Sequence, residues 1–102
     1  MDKKASDAGR VVKDMAITPA QFFRDIERVV AGLSHRIEGQ RVRAGSPAHG
    51  VTIELRELPP RRLSALMVLP RCAVTIAFQG YDAAERAAFL AVFDQAFQRG
   101  GG

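Results

Sequence analysis

The stretch Val51-Thr52-Ile53-Glu54-Leu55-Arg56 alternates apolar and polar residues without a break. Successive side chains point to opposite faces only in a β-strand, so Val51, Ile53 and Leu55 turn toward a core while Thr52, Glu54 and Arg56 turn away. Residues 72–79, rich in Val, Ile and Phe, read as a second strand with Val74, Ile76 and Phe78 on the core side. Between the two, Pro59-Pro60-Arg61-Arg62 is expected to break the ladder, because proline has no N–H to give it. Residues 63–69, apolar except for Ser64, read as a further strand, and Pro70-Arg71 as a turn. Upstream, residues 35–43 form a short basic strand with room for a bulge at Gly39, and 45–50 a loop.

Two helices flank these strands. Thr18, Pro19 and Gln21 spell an N-cap, a first-turn proline and a capping box, and Ile17 and Phe22 are spaced for a hydrophobic staple. Phe22, Phe23, Ile26, Val29, Val30 and Leu33 then recur at helical spacing, with Gly32 at the place of a C-cap. Asp82 caps a second helix, Glu85 favours its positive end, and Phe89, Leu90, Phe93, Ala96 and Phe97 form its stripe. The order α-β-β-β-β-α with short connections predicts an antiparallel meander, both helices packed on one face: a two-layer α+β sandwich. A chain of 102 residues holds one such core. The expected division is a flexible N-terminal arm over 1–16, a single domain over 17–99 and a glycine tail over 100–102.

Composition narrows the function classes. Apolar residues make up 47% and charged residues 25%, a globular balance. No apolar run approaches the roughly 20 residues that span a bilayer, and the N-terminus leads into no apolar signal region, so no membrane partner is expected. A single cysteine forms no internal disulfide, and a cytoplasmic location follows from these readings. His35, His49 and Cys72 share no metal-ligand spacing, so neither metal nor cofactor is expected. Cys72 opens a strand on its core side, Glu54 and Glu57 lie three apart around a strand end and need not share a face, and neither glycine-rich phosphate motif occurs. No catalytic residue is therefore assigned and the protein is read as non-catalytic.

The outer face of the predicted sheet is more informative. Thr52, Glu54 and Arg56 make it polar on one strand, but the next two would show Leu66, Val68, Ala73, Thr75 and Ala77. An uncharged patch on so small a domain calls for a cover, and a second copy or a larger protein partner is the expected one. Arg41, Arg43, Arg56, Arg61, Arg62 and Arg71 surround it as candidate contacts to a partner or an anion. Arg outnumbers Lys twelve to three, and the net charge of +4 resides in the sheet segment. This Arg excess makes a nucleic-acid-binding module the main alternative, although the strands lack the exposed aromatics on which bases stack. The terminus Gly100-Gly101-Gly102 resembles that of ubiquitin-like sulfur-carrier proteins, which end in an exposed diglycine. That resemblance implies a carrier role as a remote alternative; it covers three residues, and the carriers' tail follows a strand where this one follows a predicted helix.

Overall fold

Among the described residues, 9–101 of a computed structural model, the chain forms five strands and two helices. They are β1 (Arg10–Met15), α1 (Pro19–Val30), β2 (His35–Glu38), β3 (Arg41–Gly45), β4 (Gly50–Arg62), β5 (Val68–Gln79) and α2 (Ala83–Gly101). The strands make one antiparallel sheet in the order β1-β5-β4-β3-β2. The two-layer α+β architecture and its antiparallel meander are as the sequence predicts; four strands do lie between the helices, but one expected strand is split in two and another is mostly a turn. A fifth strand joins them: Arg10–Met15, expected as part of an arm, pairs along β5 from Arg10↔Ala77 to Met15↔Cys72. Residues 1–8 of that arm and Gly102 lie outside the described residues.

Register explains the layering. Ile53 pairs with Ile76, Val42 with Ile53 and Val11 with Ile76, so one row of β-branched side chains crosses four strands on one face. Val42, Ala44, Val51, Ile53, Leu55, Cys72, Val74 and Ile76 are buried there against Phe22, Ile26 and Val30 of α1 and Phe89 and Phe93 of α2. The helices meet through their aromatic rings, Phe22 stacking on Phe97 at 5.1 Å between centroids. Both caps form as expected. Thr18 Oγ1 accepts from the Gln21 amide at 3.2 Å, and Asp82 and Glu85 bond reciprocally at 2.8 and 2.9 Å. Gly32 does not act as the α1 cap: the helix ends at Ala31 in ordinary helical geometry and no left-handed residue is needed.

Four local readings change. Gly39, at φ 59°, is the first residue of a two-residue hairpin turn, so residues 35–43 are two strands rather than one bulged strand. β4 runs on through Pro59 and Pro60 to Arg62, and β5 begins at Val68 and passes through Pro70 without turning. The three prolines meet at one irregularity, where the register slips between Leu58 and Arg61 opposite Pro70. Missing donors on both strands are tolerated at a bulge. The turn itself lies within 63–67, where the Ser64 hydroxyl accepts from the amides of Leu66 and Met67. Apolar composition without a period did not separate this tip from a strand.

Ladders to β3 and β1 stop at Glu54 and Cys72, so beyond these points β4 and β5 pair only with each other. They form a two-stranded extension, and the molecule measures 47 × 32 × 25 Å. No helix among the described residues is long and apolar enough to cross a membrane.

Two groups offer direct tests. The Cys72 thiol is fully buried and donates to the Ile17 carbonyl at 3.2 Å; burial, aided by the charge of Glu57, raises its pKa. A disulfide thiol reagent at neutral pH should leave native protein unmodified and react once denaturant is added; rapid native reaction would contradict the packing. Arg71 holds Asp14 by a fork at 2.6 and 3.3 Å, tying β1 to β5. The hydrogen bond and charge of Arg71 depress the Asp14 pKa, so the stability it contributes is complete above the ordinary carboxylate range and lost as pH falls through the depressed value. Asp14→Asn should therefore lower the unfolding temperature slightly at neutral pH and match the parent chain in strong acid. A pH-independent difference in thermal melts would count against this pairing.

Candidate functional site

The helices cover only one side of the sheet, and strand register fixes what the other side presents. Arg10, Val12 and Asp14 of β1 lie beside Ala77, Thr75 and Ala73 of β5. Those in turn lie beside Thr52, Glu54 and Arg56 of β4, and Arg43 and Arg41 of β3 face Thr52 and Glu54. Arg36 and Glu38 of β2 complete the rows at the far edge. The middle of the face is low, because its side chains are Ala73, Thr75, Ala77 and Thr52, all half-buried. Val12, 63% exposed, is the most exposed large apolar residue beside this floor, and half-buried Leu58 follows Arg56 on the same face. Two shallow depressions sit here, one bounded by Val12, Arg56 and Ala73, the other by Arg10, Arg43 and Ala77.

Charge on the face is partly spent. Arg41 pairs with its cross-strand neighbour Glu54 at 2.6 Å, Arg36 with Glu38 at 3.2 Å, and Arg71 with Asp14. Exposed single-contact pairs such as those of Arg36 and Arg41 are weak and screened by salt, so their heads remain available to a partner, whereas the two-bond fork holds Arg71. Arg10, Arg43 and Arg56 make no ion pair among the described residues. Arg10 and Arg43 stand in one row with Ala77 and Thr52 between them, three strand spacings apart, or about 14 Å. Six arginines against three carboxylates leave the face positive. All seven aromatic residues of the chain lie away from it: Phe78 shares the inner register and the rest belong to the helices or the α2 cap.

Of the candidates read from sequence, Ala73, Thr75, Ala77, Arg41, Arg43 and Arg56 do converge on this face. Arg71 shares it but is clasped by Asp14. Leu66 and Val68 lie elsewhere: Leu66 caps the hairpin extension at 98% exposure, and Val68 falls in the Cys72 register. Arg61 and Arg62 stand on the extension too. The contribution of β1 was missed. Its signal was the alternation of Val11, Lys13 and Met15 against Arg10, Val12 and Asp14, short and interrupted by charge on both sides.

The histidines and Arg86 are occupied. His35 sits at the end of α1, its Nδ1 2.9 Å from the Leu33 carbonyl and Nε2 3.2 Å from Glu27, contacts that raise its pKa. His49 is not free in its loop: it stacks on Tyr81 at 4.3 Å and lies 3.0 Å from Glu85, fixing the β3–β4 loop to the start of α2. Gly80 permits this approach, since a Cβ there would come within 2.0 Å of the Ala48 carbonyl. Arg86 donates to the Tyr81 carbonyl at 3.0 Å, and so faces the turn before α2. Neither a family model, nor a curated protein, nor a solved structure matches this chain.

Proposed function

We propose that this chain is a non-catalytic association module, a small subunit that docks on an acidic surface of a larger protein through the open face of its sheet. The observation that carries the reading is the bare face itself: a low floor of Ala73, Thr75, Ala77 and Thr52 set between Arg10 and Arg43, with Arg56 beside Ala73. Small residues let a partner approach the sheet closely, and guanidiniums at the margin select carboxylates and orient them. A homodimer through the centre of this face is less favourable, because a two-fold axis would bring unpaired arginines of one copy toward those of the other. The same arginines support nucleic-acid binding as a second reading. That reading would rest on phosphate contacts alone, since the face offers no aromatic ring.

Photo-crosslinking in the cells that make the protein separates these partners. A benzophenone amino acid at Val12 reports on the open face, and one at Val92, also exposed but on α2, serves as the control. The expected result is a discrete heteromeric protein adduct from position 12, absent from position 92 and lost when Arg43→Glu and Arg56→Glu are added. Adducts with nucleic acid would transfer the function to the second reading, and self-adducts to a homodimer. No adduct, or equal labelling from both positions, would overturn the sheet face as the docking surface.

A further inference from the structure

The tip of the hairpin extension poses a problem that the sheet face does not solve. Leu63, Leu66, Met67 and Val68 are all substantially exposed there, Leu66 almost completely. Four large apolar side chains on a narrow convex tip are costly in water and have no counterpart elsewhere on this surface. The tip is nevertheless well ordered by hydrogen bonds. The Leu63 and Ser64 amides donate to the Met67 carbonyl at 2.9 and 3.3 Å, and those of Leu66 and Met67 donate to the Ser64 hydroxyl at 3.3 and 3.1 Å.

We propose that this tip is a wedge that enters the interface of an anionic lipid bilayer. Three observations converge. The shape is convex with apolar chains on several sides, which suits a deformable apolar medium better than a flat protein surface. The amides of residues 63, 64, 66 and 67 are satisfied within the turn and Pro59, Pro60 and Pro70 behind it carry none, while the Ala65 amide at the apex has no partner there, which fits insertion into the hydrated interface and not into the hydrocarbon. The charge is complementary: from Leu58 to Tyr81 the chain has no Asp or Glu, and Arg61 and Arg62, next to Leu63 in the chain, make no ion pair among the described residues, the charge of Asp14 being felt by Arg61 without a direct contact. Strand addition by another chain is a poorer cover, because the same prolines remove ladder donors from both strands of the extension. The expectation of no membrane partner rested on the lack of a spanning run, and a wedge needs no such run.

The inference stands apart from the sheet-face reading and uses different residues. The chain has no Trp, so Leu66→Trp supplies a single reporter. With vesicles of phosphatidylglycerol and phosphatidylcholine its emission should shift to the blue, and the protein should float with them; with phosphatidylcholine alone both effects should be much weaker. Leu66→Ser with Met67→Ser, both at exposed sites, should reduce partitioning into anionic vesicles at least about tenfold. Arg61→Ala with Arg62→Ala should remove the preference for anionic lipid. No flotation would overturn the proposal. So would flotation untouched by the double serine variant but lost on Arg43→Glu with Arg56→Glu, since charge on the open face would then be the cause. Blue-shifted emission from the Leu66→Trp variant without vesicles, together with a dimer mass in native mass spectrometry, would overturn it in favour of a second copy as the cover.

Discussion

The ladder between β4 and β5 sets everything else in this molecule. Its central pair, Ile53 opposite Ile76, places both side chains under the helices at near-zero exposure. Because strand side chains alternate with a period of two, this one registration also decides that Ala73, Thr75 and Ala77 face outward. A slip by one residue would turn one of the two strands over, either pushing Glu54 and Arg56 into the core or bringing Val74 and Ile76 into water. Loss of several large apolar burials, each worth roughly 1.5–3 kcal/mol, makes such a slip prohibitive. The open face is therefore a consequence of the core, not a separately built surface. β1 attaches to the exposed side of β5 and inherits the same registration, which is why an edge strand with only Val11 and Met15 to bury still delivers Arg10 and Val12 to one side.

Legibility from sequence followed the strength of the local signal. The helix starts were readable because caps are short-range chemistry: Thr18 and Asp82 each satisfy an amide three residues on, whatever lies beyond. The 51–56 strand was readable because one of its faces is polar. β1 was not, since six residues with charge on both faces look like an arm until β5 is there to receive them. Nor was the hairpin tip. Residues 63–68 are as apolar as a buried strand, and what closes the turn is the Ser64 hydroxyl serving two amides together with the Met67 carbonyl serving two more. Half of the candidate site was legible in the same sense. The arginines of β3 and β4 and the small residues of β5 converge as read, whereas Leu66 and Val68 belong to a part of the chain whose course depends on where that turn falls.

Prolines give the sheet a division of labour. Pro59, Pro60 and Pro70 coincide at one level, just beyond the points where β3 and β1 leave the ladder, and past it the two strands continue alone. Isolated two-stranded ribbons are marginal in water, so the extension draws its order from its own turn and from continuity with the sheet. Its apolar residues add nothing to the core and its arginines little to folding. The body and the extension thus answer to different demands: the former is shaped by packing, the latter by whatever it meets.

The stacking of His49 on Tyr81 has an optical consequence. With no Trp and a single Tyr, the tyrosine band of the parent chain comes from one ring, wedged between His49, Phe78 and Phe89. That ring sits where the β3–β4 loop, the end of β5 and the start of α2 converge. Its emission and dichroism will therefore follow the seating of α2 on the sheet and stay silent about events at the open face or the hairpin tip. A titration that leaves the tyrosine unchanged says nothing against binding at either place, and one that changes it reports a rearrangement carried into the helical layer.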